Sequence, residues 1–121
     1  MTTPVIPLTD SIAILPIVGT MDTYRAKRIQ QRALDFVSKT KVNHFVIDLS
    51  GVDYMDTFVI KHLGNIISGL KLLGCDAILT GMKVEVVHTM VDLGISLKHV
   101  ATKRNLKQAF EEYVLENEGF E

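Results

Sequence analysis

The apolar positions of this chain change period several times, and each change marks an element. Residues 4–8 (Pro-Val-Ile-Pro-Leu) and 11–18 (Ser-Ile-Ala-Ile-Leu-Pro-Ile-Val) are two apolar runs separated by Thr9-Asp10, the spacing of a hairpin. Pro4, Pro7 and Pro16 lack the N–H that a central ladder requires, which places the first run at a sheet edge and limits the pairing of the second. From Asp22 the period lengthens. Ala26, Ile29, Ala33 and Val37 form one face of a helix, and Arg25, Lys27, Arg28, Gln31 and Arg32 cover its outer surface, where a solvated basic face is a better account than a specific anion site. Residues 44–49 read as a strand covered by helices on both sides. The next helix carries Val59, Leu63, Ile66, Leu70 and Leu73 at helical spacing and stops at Gly74.

A short strand at residues 77–79 leads through Thr80-Gly81 into a third helix, for which Val84, Val87 and Val91 are the expected inward positions. Asp92-Leu-Gly-Ile95 closes it in the pattern of a glycine C-cap. A weak strand at residues 98–101 precedes a last helix with a stripe of Leu106, Ala109, Phe110, Tyr113 and Val114, and the acidic tail, residues 116–121, is expected to fray. After the hairpin, strand and helix alternate. That order predicts an α/β fold with a mixed, mostly parallel sheet of about five strands, four to five helices and right-handed crossovers.

Composition adds bounds rather than chemistry. With 121 residues, 47% of them hydrophobic and 22% charged, the chain can bury one core, so a single domain over residues 1–121 is expected, its core at 4–114 and an acidic tail at 115–121. A net charge of −1 offers no footprint for nucleic acid or an anionic membrane. The lone Cys75 forms no internal disulfide and reads as a small buried hydrophobe. With no signal peptide or membrane span in the pattern, the cytoplasm is the expected compartment.

The candidate chemistry lies in a dipeptide that occurs twice, Asp22-Thr23 and Asp56-Thr57, each time where a strand passes into a helix. Successive junctions of this kind in a parallel sheet lie on the same edge, at the carboxyl ends of the strands, where α/β proteins place their sites. Thr23 and Thr57 are therefore expected to share a rim, with Thr80 near it. Each aspartate is a good N-cap, and each threonine offers a hydroxyl where backbone N–H groups and the helix dipole favour added negative charge. Phosphate on Thr57 would stand beside Asp53 and Asp56 and expel a partner docked through acidic or apolar contacts. Met55 and Asp22 complete the expected partner-binding rim. Other constellations fail. Asp48 near a strand end has no acidic pair at Val18-Gly-Thr20 and reads as structural. His44, His62, His88 and His99 have no metal-binding spacing, and phosphate loops, nucleophile elbows and Cys/His pairs are missing from the sequence, so neither metal nor cofactor is expected.

Ile47-Asp-Leu-Ser-Gly-Val-Asp-Tyr-Met-Asp-Thr57, followed by Ile78-Leu-Thr-Gly81 and Asp92-Leu-Gly-Ile95, resembles the STAS domain, the fold of sulfate transporters and anti-sigma-factor antagonists. Pro4-Val-Ile-Pro-Leu, Ile14-Leu-Pro-Ile-Val-Gly-Thr20 and Asp22-Thr-Tyr-Arg-Ala26 resemble its stressosome scaffold branch (RsbR type), sister to the antagonist branch (RsbS type). The resemblance covers residues 4–114. It implies a non-enzymatic cytoplasmic protein that joins homologous RsbS-like STAS proteins in an oligomer or larger assembly and holds an RsbT-like switch serine/threonine kinase. It maps the phosphoacceptors to Thr57 and, in the scaffold branch, Thr23, and assigns no role to Thr80. Scaffold proteins usually carry an N-terminal sensor domain, so an isolated domain or a stand-alone paralogue is expected. The alternatives are a simple anti-sigma factor antagonist acting without large assembly and, from another class, an enzyme that binds a nucleotide or small molecule at the same rim.

Overall fold

The computed structural model describes residues 4–94 and 100–117, with the side chains of 113–117 excepted. Its elements in chain order are β1 (Ile6–Pro7), β2 (Ile12–Val18), α1 (Thr23–Ser38), β3 (His44–Gly51), α2 (Thr57–Leu72), β4 (Asp76–Thr80), α3 (Val84–Asp92), β5 (Ala101–Lys103) and α4 (Leu106–Asn117). The strands form one sheet in the order β1-β2-β3-β4-β5. β1 pairs antiparallel with β2, and every later pair is parallel. The proline-bearing first strand takes the edge, and the β2–β3 register shifts between Pro16 and Val18, where the proline cannot donate to the ladder.

Strand alternation divides the core between the two faces of the sheet. Ala13, Leu15 and Ile17 of β2, Phe45, Ile47 and Leu49 of β3 and Ala77 and Leu79 of β4 enter the larger cluster with the buried stripes of α1, α2 and α3. Ile12, Ile14, Val46 and Ile78 face the other way and meet Ala109 of α4. All four residues expected to face inward on α1 are buried, as are Val59, Leu63, Ile66 and Leu70 on α2. Leu73, expected on the same stripe, is 48% exposed because it is the C-cap. There Gly74, at φ +80°, donates to the Lys71 carbonyl, and Cys75 donates to that of Leu70, the paired bonds of a Schellman turn.

α3 corrects the expectation from sequence. Val86 and Met90 are its buried residues, while Val84, Val87 and Val91 are exposed, at 60%, 38% and 68%. Five of its nine residues are apolar, so spacing alone could not select the inner face. The last helix buries Ala109 and leaves Phe110 at 41% exposed. The weak strand is found as β5, shifted to Ala101–Lys103; residues 98 and 99, Ile95 of the glycine cap, the side chains of Tyr113 and Val114, and residues 118–121 of the tail lie outside the described residues.

Candidate functional site: the rim at the carboxyl ends of the strands

Asp22 and Asp56 are both N-caps in extended backbone, and each carboxylate accepts the N–H three residues on: Arg25 at 2.7 Å and Val59 at 2.9 Å. Each cap satisfies a backbone donor that the first helical turn leaves open. Thr23 and Thr57 are consequently the first helical residues of α1 and α2, Thr23 exposed and Thr57 half-buried. Their junctions are neighbours. β2 and β3 are paired and parallel, and the Gly19 N–H donates to the Gly51 carbonyl at 3.1 Å just beyond the last paired residues.

The third junction is tied to the second by charge. Lys83, which precedes α3, forms an ion pair with Asp53 in the β3–α2 loop. One of the two carboxylates expected to repel a phosphate on Thr57 is therefore matched by a cation, and the other is engaged as a cap. Arg25 Nη1 donates to the Thr20 carbonyl at 3.0 Å and braces the loop before α1.

Two expected rim residues lie beneath the surface. Met55 is 0% exposed and belongs to the larger core cluster, so it supports the Thr57 loop from below and presents no side-chain surface to a partner. Thr80 is also fully buried, its hydroxyl donating to Asp48 Oδ1 at 2.8 Å, while Ser50 donates to Asp48 Oδ2 at 2.6 Å. Asp48 is thus a structural acceptor joining β3 to β4. Gly81 completes this corner at φ +68°, because a Cβ there would stand 2.8 Å from that of Ser50 and 3.0 Å from Asp48 Oδ1.

Sequence reasoning missed the apolar dressing of the rim. Tyr24, Tyr54 and Phe58 are 70%, 63% and 67% exposed, and Val18 and Val84 contribute further apolar surface at the same strand ends. The available signal was the aromatic residue directly after each Asp-Thr. Away from the rim, Cys75 is buried and its thiol is pushed up to about 11 by burial and by the negative charge of Asp76, which makes it a poor nucleophile at neutral pH. Among the described residues no group of three or more His, Cys, Asp or Glu is placed to hold a metal ion, and no helix is long and apolar enough to cross a membrane.

A five-stranded mixed sheet with two capped threonines on adjacent junctions defines a class, and a family model for the STAS domain matches residues 3–109. The chain belongs to the STAS domain family. It is 42% identical over 109 residues to the RsbT co-antagonist protein RsbRB of Bacillus subtilis (strain 168), a match covering 90% of this chain and 39% of that protein. It is 38% identical over 120 residues to RsbRD of the same strain, covering 99% and 41%. The chain thus spans about two fifths of the length of these relatives. Among solved structures, Moorella thermoacetica RsbS matches with a TM-score of 0.80 at 27% identity, covering 93% of this chain and 94% of that one. The unphosphorylated anti-sigma factor antagonist SpoIIAA shares the fold, with a TM-score of 0.75 at 10% identity over 94% of this chain and 98% of its own.

Proposed function

We propose that this chain is a non-enzymatic, phosphorylation-switched interaction module of the bacterial general stress response. In this reading it joins RsbS-like STAS proteins in an oligomer or larger assembly in the cytoplasm, holds an RsbT-like serine/threonine kinase on its rim, and releases it when phosphorylated. The observation that carries the reading is the pair of Asp-capped threonines at neighbouring strand-to-helix junctions. Similarity to proteins described as RsbT co-antagonists supports the choice of partner.

Thr57 and, secondarily, Thr23 are the acceptors. The threonine Oγ1 attacks the γ-phosphorus of ATP held by the kinase; the bond from that phosphorus to the β–γ bridging oxygen breaks, ADP departs, and the hydroxyl proton passes to a base of the kinase. The product adds about 1.5 to 2 negative charges at the helix start. The dipole of α2 accepts them within the domain. A kinase surface docked on the rim through acidic or apolar contacts, with no cation to receive a charge added beside Asp22, Asp53 and Asp56, does not, and it dissociates.

Phosphosite mapping by mass spectrometry after incubation with ATP and an RsbT-type kinase tests the reading. Phosphate is expected on Thr57 and Thr23, each abolished by its own Thr→Ala substitution. A kinase active on another STAS protein that leaves both threonines unmodified overturns it.

A further inference from the structure

The two junctions share more than the Asp-Thr pair. Residues 22–28 read Asp-Thr-Tyr-Arg-Ala-Lys-Arg, and residues 56–62 read Asp-Thr-Phe-Val-Ile-Lys-His. In both, an aromatic follows the threonine, a buried apolar residue stands two places later, and a lysine comes next. The structure gives these residues the same helical positions and opposite environments: Ala26 and Ile60 are buried at 0% and 2%, whereas Tyr24 and Phe58 are 70% and 67% exposed. The other outward positions on these helices are mostly polar, Lys27, Gln31 and Arg32 on α1 and Lys61, Asn65 and Ser68 on α2. Holding a ring in water forgoes the stabilisation of burying it, and an aromatic has no helix-forming advantage over the polar residues around it. The ring of Tyr24 is held under the Arg28 guanidinium, 5.9 Å from its centroid, which restrains it without covering it.

We propose that Tyr24 and Phe58 are the specificity handles of their junctions: a single apolar slot beside the kinase's phosphotransfer site accepts the ring next to whichever threonine is being modified. This rests on the functional reading above. The slot fits a phenyl ring and tolerates a para-hydroxyl, since the two junctions present one of each. Its occupant is chosen by position, because in both helices the ring is the residue immediately after the acceptor. Aromatic rings carry large apolar area at low entropic cost and so dominate small contact surfaces.

The test is the initial phosphorylation rate at each threonine, measured by quantitative mass spectrometry with an RsbT-type kinase and ATP, for the parent chain, Tyr24→Ala, Phe58→Ala, Tyr24→Phe and Phe58→Tyr. Phe58→Ala is expected to slow Thr57 by about tenfold while Thr23 is unchanged, and Tyr24→Ala to do the converse. Both aromatic exchanges keep the parent rate. Thermal melts of all four variants overlay the parent, because the rings are exposed. Alanine variants with parent rates at their own sites, or with equal losses at both sites, overturn the proposal while leaving the functional reading in place. A parent chain with no phosphate on either threonine overturns both.

Discussion

The junctions before α1 and α2 use the same local chemistry, an aspartate cap followed by a threonine, and differ in what lies beneath it. Under Thr57, Val52, Met55 and Val59 are all 0% exposed, and the loop is tied sideways to α3 by the Asp53–Lys83 pair. Around Thr23 the residues Gly19, Thr20, Asp22 and Tyr24 are exposed, Met21 is the one buried anchor of that loop, and the described ties run to backbone carbonyls, Gly19 to Gly51 and Arg25 to Thr20. Equivalent caps therefore present one hydroxyl on a packed platform and the other on a surface turn. A packed platform holds its hydroxyl in one geometry, and a surface turn can adapt to a partner.

The largest effect that distinguishes them is on stability. Met55→Ala is expected to cost about 3 kcal/mol in denaturant unfolding, because the cavity opens within a filled cluster, and Met21→Ala about half as much, because the exposed loop above it can settle. Equal losses would remove the distinction. Next comes partner binding. Thr57→Glu is expected to weaken kinase affinity by about tenfold in calorimetry and Thr23→Glu by less, since the rigid loop cannot move the new charge away from the partner. A larger effect at Thr23 would identify the surface turn as the main contact. Smaller still are the caps. Asp22→Ala and Asp56→Ala are each expected to cost about 1 kcal/mol, and the loss at Asp56 should also slow phosphorylation of Thr57, because the first turn of α2 loses the acceptor that fixes it.

The sequence carried most of this comparison but not its depth. The caps, the places of Thr23 and Thr57 at the helix starts and the buried faces of α1 and α2 were legible because capping is local and because mostly polar residues on the outer face marked the inner one. α3 was not legible: Val84, Val86, Val87, Met90 and Val91 leave two apolar faces, and only the neighbours in space select Val86 and Met90. Met55 is expected on the rim, yet burial in a loop is decided by the strands and helix beneath it. Asp48 reads as structural from the sequence; Ser50, two residues on along the same strand, is in local reach, while Thr80, 32 residues away, needs the β3–β4 pairing to meet it. The Asp53–Lys83 pair, 30 residues apart, belongs to the same kind of long-range contact.

That pair supplies the smallest and most specific test of the difference between the junctions. Both side chains are well exposed, 87% for Asp53 and 43% for Lys83, so Lys83→Ala is expected to change the stability of the unmodified protein by less than about 0.5 kcal/mol. Phosphorylation alters the balance. With Lys83 present, Asp53 is already neutralised when the phosphate arrives on Thr57; without it, Asp53 adds its full charge to that of Asp56 in the same loop. The change in melting temperature on phosphorylation of Thr57 should therefore be about 2 °C less favourable in Lys83→Ala than in the parent at low salt, on top of whatever the α2 dipole contributes to both. In roughly 0.5 M NaCl, where screening acts over a few ångströms, the difference should vanish. Phosphorylation confined to Thr23, in a Thr57→Ala background, should give the same change with or without Lys83, because that junction has no share in the pair. A difference that persists in high salt, or that follows Thr23 as well, would mean that Lys83 acts by bracing the start of α3 and not through its charge.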